Sequence, residues 1–150
     1  MPNLEKDPRL PKEHGSVHQV GGLDPTLPKF EYAIDDTARN TTSTSYQDQV
    51  ALTFTPEASS DWLIIAQATY RGGTNSHWPL IQLDQDAGTT ISEQAFGRWV
   101  PNAAERLGFF VMKKVTLSAA SHTFKIQYKT HNASYTCYIY EARIMAIRLT

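Results

Sequence analysis

Histidine and cysteine side chains are the groups in this sequence with the widest chemistry, since imidazole and thiolate act as bases, nucleophiles and metal ligands. His14 and His18 have the i, i+4 spacing of a helical metal pair, but Gly15 and nearby prolines disfavour a helix there. Cys137 lies in a stretch rich in tyrosine, and a catalytic thiol would need a histidine base in hydrogen-bond reach. A lone cysteine in a strand is more often a small core residue. We therefore expect neither a metal site nor a Cys–His enzyme.

The acidic segment Asp84-Gln-Asp86-Ala-Gly88 resembles the first half of a calcium-binding loop. Gly88 and Ala95 occupy the positions where such a loop needs its later ligands, so the set is incomplete. A hairpin turn that uses Asp86 and Gly88 accounts for the segment better. The sequence has no G-x-S-x-G, P-loop, H-E-x-x-H or G-x-G-x-x-G motif. We expect a protein that is not an enzyme and that binds no cofactor and no metal.

The segment RGGTNSHW, from Arg71 to Trp78, is the surface loop with the most suggestive composition. Sugar sites combine an aromatic ring with amide and other polar groups, and protein interfaces favour Arg and Trp as anchors. The candidate ligand or interface residues are Arg71, Asn75, His77 and Trp78. The alternative is structural, with Trp78 covering one end of the fold before Pro79. These interpretations remain open at this point.

The size and charge of the chain exclude several classes of protein. A length of 150 residues predicts one domain with a core of its own. The net charge of −1 provides no field for binding nucleic acid or an anionic membrane. No apolar run approaches the ~18 residues of a membrane helix, and the N-terminus lacks the apolar stretch of a signal peptide. We expect a protein that folds in a reducing cytoplasm and binds neither nucleic acid nor membrane.

Residues 1–29 differ in composition from the rest of the chain. They contain five of the eight prolines and none of the aromatic residues. Proline removes a backbone donor and biases its predecessor toward extended conformations, so a helix is disfavoured. A disordered tail is one interpretation. We favour an extended docking arm that places widely spaced apolar side chains in pockets of a partner, namely Leu4, Leu10, Val20, Leu23 and Leu27.

Residues 30–150 are predicted to form an antiparallel β-sandwich, jelly-roll-like, with about eight strands. Apolar and polar residues alternate with the period of two that indicates half-buried strands. The predicted strands are Phe30–Ile34, 45–55, 61–71, 79–85, 90–96, 107–117, 122–129 and 135–149. A single helical turn is expected at 102–106. The predicted core contains Trp62, Ile64, Phe109, Val111, Phe124, Ile126 and Ile139.

Three strands break the simple alternation. Lys113 interrupts an apolar face, which is typical of a bulge or an edge strand. The apolar parity of the last strand shifts near Glu141–Ala142, which predicts a bulge or a strand shared by two sheets. Segments 61–66 and 135–149 are apolar on both faces, and surplus apolar surface often marks subunit contacts. We therefore expect a closed homo-oligomer, with a trimer as the first choice.

Two stretches of the domain resemble a group of small phage-encoded β-sandwich proteins. TTSTSYQDQVALTFTPEASSDWLIIAQATYR is similar to their paired T-S-T-x-Y-x-D and Y/W-L-I-x-A-x-A strands, and HTFKIQYKTHNASYTCYIYEARIMAIRL to their H-x-F-x-I-Q-Y and A-R-I-x-A-I-R-L strands. The resemblance covers roughly residues 41–150 and contains no catalytic signature. It implies a virion component of a tailed phage, such as a decoration, neck or fibre-associated protein.

This resemblance implies capsid, neck or tail subunits as partners and the virion as the location, after synthesis in the bacterial host cytoplasm. It does not extend to residues 1–29, whose attachment role rests on composition alone. The leading expectation is therefore an assembly protein fastened by its arm. The alternative is a carbohydrate- or receptor-binding module that uses the loop 71–78.

Overall fold

The computed structural model describes residues 29–73, 79–95 and 105–149, and within these ranges all regular structure is β-strand. Nine strands follow one another along the chain: β1 (Phe30–Asp35), β2 (Arg39–Thr41), β3 (Gln47–Phe54), β4 (Ser60–Gly72), β5 (Pro79–Gln85), β6 (Thr89–Ala95), β7 (Leu107–Leu117), β8 (His122–Thr130) and β9 (Cys137–Arg148). The short β2 is an addition to the eight strands predicted. The helical turn expected at 102–106 falls largely outside the described residues.

The strands form two antiparallel sheets that pack face to face. Sheet I has the order β1-β9-β4-β7, and β2 continues the edge of β1 alongside β9. Sheet II has the order β3-β8-β5-β6. Apart from the β1–β2 edge and the β5–β6 hairpin, each described connection passes from one sheet to the other. Eight strand positions connected in this way are the arrangement of a jelly roll, so the predicted fold class is confirmed.

The core fills the space between the two sheets, as period-two alternation requires. Trp62, Ile64, Phe109, Phe124, Ile126 and Ile139 are all buried, as predicted. Val111 differs from the prediction: it is partly buried and packs against the core, because β7 lies at the edge of sheet I. Phe54 joins the sheets, since its ring centroid lies 4.7 Å from that of Trp62 and 6.0 Å from that of Phe124.

Both predicted irregularities have a structural counterpart. Within the described residues β7 pairs with β4 alone and in continuous register, so Lys113 marks an edge strand and not a bulge. In β9 the partner of Ala68 is Ala142 and the partner of Tyr70 is Ile139, so β9 carries one extra residue there. The parity shift near Glu141 is therefore a β-bulge, and β9 lies in one sheet.

A second bulge, in β3, places a side chain that connects the two sheets near this point. β3 has one extra residue, Gln49, between the pairs Asp48–Gln127 and Val50–Ile126. The buried Gln49 side chain donates from Nε2 to the carbonyl oxygen of Thr37 at 2.8 Å. Thr37 lies in the gap between β1 and β2, so this hydrogen bond fixes the interrupted edge of sheet I to sheet II.

The β5–β6 hairpin uses Asp86 as the sequence predicts. Asp86 and Ala87 have φ angles of 52° and 56°, in the left-handed region that Asp tolerates better than most residues. The Asp86 carboxylate accepts hydrogen bonds from the Thr123 amide and from His122 Nδ1, both at 2.7 Å. The acidic segment is therefore a turn that is fastened to β8.

The hydrogen bonds of Asp86 predict how the stability of the protein depends on pH. Burial raises the pKa of Asp86, but the hydrogen bonds from His122, Thr123 and Gln85 outweigh it, so the pKa lies below the ordinary 3.8. A carboxylate with a lowered pKa stabilises the fold above its ordinary pKa and loses that contribution as the pH falls through the lowered value. We expect Asp86→Asn, which tolerates the same φ, to lower the free energy of unfolding by about 1 kcal/mol at pH 7.

The difference between Asp86→Asn and the parent protein should shrink when urea unfolding is measured near pH 3. Glu57→Gln is the matched control, because its exposed carboxylate pairs with Lys29 on the surface. An equal difference at pH 7 and pH 3 would show that the carboxylate charge contributes nothing to the turn.

Candidate functional site: an exposed apolar sheet face

The outer face of sheet I carries a continuous apolar surface, which we call the platform. Six of its side chains are 41–63% exposed: Phe30, Tyr32, Ile34, Phe110, Met112 and Met145. Three half-buried side chains fill the space between them: Leu63, Ile65 and Ile147. Scattered exposed apolar residues are ordinary on a soluble protein, whereas a contiguous patch of large ones calls for an explanation.

Strand register makes the platform continuous. Tyr32 in β1 lies opposite Met145 in β9. Ile65 in β4 lies between Met145 and Met112, its partner in β7. Two residues away on one side, Phe30, Ile147 and Leu63 form a second apolar row. On the other side, Ile34 and Phe110 lie at the two edges of the sheet, with the polar Arg143 and Gln67 between them. The platform therefore crosses all four strand positions of sheet I.

The area of the platform follows from strand geometry. Four strands about 4.8 Å apart and three rows about 6.7 Å apart cover roughly 400 Å² in projection, and the apolar positions account for roughly 300 Å² of it. Arg143, Gln67 and Lys114 occupy the remaining positions. A shallow apolar depression of about 250 Å³ lies within it, bordered by Tyr32, Ile65 and Met145. This area is comparable to the largest apolar patches of monomeric proteins, which are often functional.

The platform is bounded by charges of both signs. At one end Asp61 accepts from Lys114 Nζ at 2.7 Å and from the Thr116 hydroxyl at 2.6 Å, and these bonds lower the pKa of Asp61. At the other end Arg143 lies 3.5 Å from Asp36 and 3.8 Å from Glu141. The border thus carries paired charges and no field of one sign.

Sequence reasoning found part of this surface. It identified the apolar outer residues of β4 and β9 and attributed them to subunit contacts. It missed Phe30, Tyr32 and Ile34 of β1, and Phe110 and Met112 of β7, as outward-facing residues. The alternation of β7 could have identified Phe110 and Met112. Since Phe109 and Val111 were predicted to point inward, the residues between and after them must point outward.

Arg71 is the described member of the predicted loop site, and it lies at the end of β4. Its guanidinium stacks 4.5 Å from the ring centroid of Tyr138 and lies 5.9 Å from that of Tyr140. Arg106 lies 3.9 Å over the Tyr140 ring. The other predicted residues, Asn75, His77 and Trp78, fall outside the described ranges, so the ligand role of the loop stays a prediction.

The predicted docking arm also lies outside the described ranges up to residue 28, including Leu4, Leu10, Val20, Leu23 and Leu27. The first strand of the described residues, β1, begins at Phe30. The carbonyl oxygen of Lys29 accepts a hydrogen bond from the Arg148 amide at 2.8 Å. The described chain is therefore fixed to the sandwich from Lys29 onward.

The candidate catalytic groups occupy structural positions where they are described. Cys137 is 1% exposed, His122 bonds to Asp86, and the His131 ring stacks on Tyr135. In these parts of the chain no three His, Cys, Asp or Glu side chains converge where they could hold a metal ion. No helix of the described chain has the length and apolar character needed to span a membrane. The absence of enzyme activity and of a cofactor stays a prediction.

The buried thiol leads to a prediction about reactivity. Burial raises the pKa of Cys137 to about 12, so almost no thiolate exists near neutral pH, and thiolate is the reactive form. We expect a thiol reagent such as iodoacetamide to label Cys137 in unfolded protein at pH 8 and to label native protein slower by at least about 1,000-fold. Mass spectrometry of the two samples measures this difference. Rapid labelling of the native protein would show that the thiol is accessible and ionised.

Comparison with known proteins adds information about the fold. No protein-family model matches the sequence, and no curated protein does. The model is similar to the Eiger TNF protein of S. frugiperda, with a TM-score of 0.56, 8% identity, and coverage of 82% of this chain and 93% of that one. It is also similar to dimeric latent PorU from Porphyromonas gingivalis, with a TM-score of 0.53, 5% identity and 81% coverage of this chain.

A third similar structure comes from a virus. A chain in the structure of infectious bursal disease virus Gx strain gives a TM-score of 0.51 with 8% identity over 83% of this chain. This chain spans 13% of the PorU chain and 32% of the viral chain. Identities this low establish a shared fold alone, and the comparisons give no evidence from sequence of a phage origin. The chain therefore has a β-sandwich fold that is also found in a viral protein.

Proposed function

We propose that this protein is a structural subunit of a tailed-phage virion, whose copies associate through the platform and whose residues 1–29 fasten it to neighbouring virion proteins. The platform is the single observation that carries the proposal. A structural role needs contact surfaces and no catalysis, which agrees with the expectation that the chain is not an enzyme.

The size of the platform is sufficient for self-association. Two platforms in contact remove roughly 600 Å² of apolar surface from water, which contributes about 15 kcal/mol at most at ~25 cal/mol per Å². Association costs ~4–15 kcal/mol in lost freedom and ordering. The charged border supplies additional contact toward the ~1,600 Å² of a standard interface. Apolar burial and border contacts together support the proposed oligomer.

A second copy of the same chain is the occupant that the border favours. Lys114–Asp61 and Arg143–Asp36 place both signs of charge on one surface, so a copy related by symmetry meets opposite charges as well as apolar side chains. A partner whose surface carries charge of one sign would place like charges against half of these residues. We therefore infer a closed homo-oligomer. Contact between two platforms closes as a dimer, whereas the trimer expected from the sequence needs a different contact, and the measured mass distinguishes the two.

Placement in a virion rests on different support. The strand motifs resemble those of small phage-encoded sandwich proteins, and the fold is shared with a chain of a viral particle. In this proposal the arm inserts Leu4, Leu10, Val20, Leu23 and Leu27 into pockets of a capsid, neck or tail subunit. The protein is made in the bacterial cytoplasm and ends in the particle. Binding of a glycan or receptor by the loop 71–78 stays the alternative, and Arg71, its described candidate residue, stacks on Tyr138.

The platform gives a prediction about mass. Tyr32→Glu combined with Met112→Glu places two charges in the proposed contact, where burial of an unpaired charge is costly. We expect this variant to be a 16.8 kDa monomer by light scattering at tens of micromolar, where the parent protein is a larger closed oligomer. The dissociation constant should rise by at least ~100-fold.

Ala51→Glu combined with Thr55→Glu is the matched control, since both positions are exposed on the opposite side of the sandwich. It adds the same charge and should leave the mass unchanged. A parent protein that is monomeric at these concentrations contradicts the proposed self-association. If deleting residues 2–28 converts a monomer into an oligomer, those residues cover the platform within one chain.

The arm gives a separate prediction. Deleting residues 2–28 leaves Lys29 and its hydrogen bond to Arg148 in place, so the melting temperature should change little. Incorporation into particles should be lost, because the deleted residues carry the proposed partner contacts. Complementation of a phage that lacks the gene, with the particle composition measured, tests this. Full occupancy of the truncated protein would show that residues 2–28 are not needed for attachment.

A further inference from the structure

The outer face of sheet II carries a polar depression on the side of the sandwich opposite the platform. It has a volume of about 510 Å³ and is open to solvent on one side. Side chains from β5, β6 and β8 and from the residue before β3 border it, including Tyr46, Gln82, Asp84, Thr90, Glu93 and Gln127. Neither the proposed assembly nor the predicted loop site uses these residues.

Asp84 in β5 is the unexplained residue of this depression. It is 6% exposed, and its carboxylate has no hydrogen-bond or ion-pair partner among the described residues. Lys125 is its direct neighbour across the strands, but the Lys125 ammonium bonds to Asp48 at 2.6 Å. A carboxylate this buried is normally paired, because loss of water without a replacement donor is costly. The Asp84 oxygens are therefore available to a donor that enters from the depression.

A chain of hydrogen bonds supplies a second free acceptor. Asp48 accepts from Gln127 Nε2 at 2.6 Å, and the Gln127 carbonyl oxygen accepts from Gln82 Nε2 at 2.7 Å. This sequence of donors fixes the orientation of both amides. Gln82 is buried beside Asp84, and its Oε1 has no donor within the part of the chain that is described. Two buried residues thus present unpaired oxygen acceptors to the same space.

The walls of the depression are held in place by their own contacts. The Tyr46 hydroxyl donates to Glu93 Oε2, and Lys129 Nζ lies 4.1 Å from the centroid of the Tyr46 ring. Burial and the neighbouring Glu93 raise the pKa of Tyr46, so its hydroxyl keeps the donated proton. On the other side, β6 carries one extra residue, Ile91, opposite the step from Leu83 to Asp84. Such a bulge re-aims side chains and often lies beside a functional site.

We propose that this depression binds a sugar residue, whose adjacent hydroxyl groups donate to the Asp84 carboxylate and to Gln82 Oε1. A carboxylate accepts two hydroxyl donors side by side, and the volume accommodates one or two sugar rings. The open side lets a polysaccharide chain continue beyond the bound unit. Anionic ligands are excluded by Asp84 and Glu93. A divalent metal is disfavoured, because the described residues around the depression supply no third acidic or histidine ligand.

The test is an NMR titration of the ¹⁵N-labelled full chain with glucose, galactose, N-acetylglucosamine and glucosamine, each up to tens of millimolar. We expect at least one sugar to shift the amide resonances of Asp84, Gly88 and Thr90 saturably, with a dissociation constant near the millimolar range. Asp84→Asn should weaken that binding at least tenfold. Asp61→Asn is the matched control on sheet I, where the carboxylate is already paired with Lys114 and Thr116, and it should leave the affinity unchanged.

The melting temperature of Asp84→Asn without ligand provides an independent measurement. An unpaired buried carboxylate does not stabilise the fold, so this variant should melt at the parent temperature or above it. A variant that melts lower or fails to fold would show that Asp84 has a structural partner, and this overturns the proposal. The absence of shifts with all four sugars overturns it as well. Calcium chloride that shifts the same amides where sugars do not would assign the depression to a cation instead.

Discussion

The pairing of β4 with β9 in the centre of sheet I is the interaction on which the rest of the structure depends. Each of these strands is long, and each has a hydrogen-bonded neighbour on both sides. Their inward residues, from Trp62 to Tyr70 and from Cys137 to Ala146, supply much of the core. Their outward residues include four large apolar side chains, Leu63, Ile65, Met145 and Ile147. Two sheets have only one interface between them, so the second apolar face of this pair becomes the exposed platform.

Three of the irregular features of the fold lie together at one end of this pair. The bulge in β9 near Glu141, the interruption between β1 and β2, and the bulge at Gln49 are linked through the hydrogen bond from Gln49 to Thr37. An extra residue in β9 twists that strand, and the edge strand that follows it must break. The side chain of Gln49 then satisfies a carbonyl group that the break leaves without a strand partner. Three departures from regular pairing are therefore one connected adjustment of the two sheets.

The sequence predicted those features that depend on the alternation within one strand. Phe124 and Ile126 face inward because β8 alternates strictly, and the parity shift at Glu141 located the bulge. Features that depend on neighbours from distant strands could not be predicted in this way. Asp84 appeared only as part of an incomplete calcium loop, because its neighbours in the sheet, Thr90 of β6 and Lys125 of β8, are distant in sequence or offset by a bulge. Val111 was assigned to the core because it has the same parity as Phe109. Its partial exposure results from the edge position of β7 in sheet I, which depends on the order of the strands.

The platform and the polar depression lie on opposite faces of a sandwich that is only two sheets thick. In the proposed assembly, two copies joined through their platforms would both turn sheet II toward solvent, so the pair would display two identical depressions. The second binding event on a polymeric ligand is then governed by an effective concentration that depends on the spacing of the copies. Two depressions that each bind one unit of a polymer weakly could therefore hold the polymer tightly together. Each depression would still release its own unit quickly, because each single contact is weak.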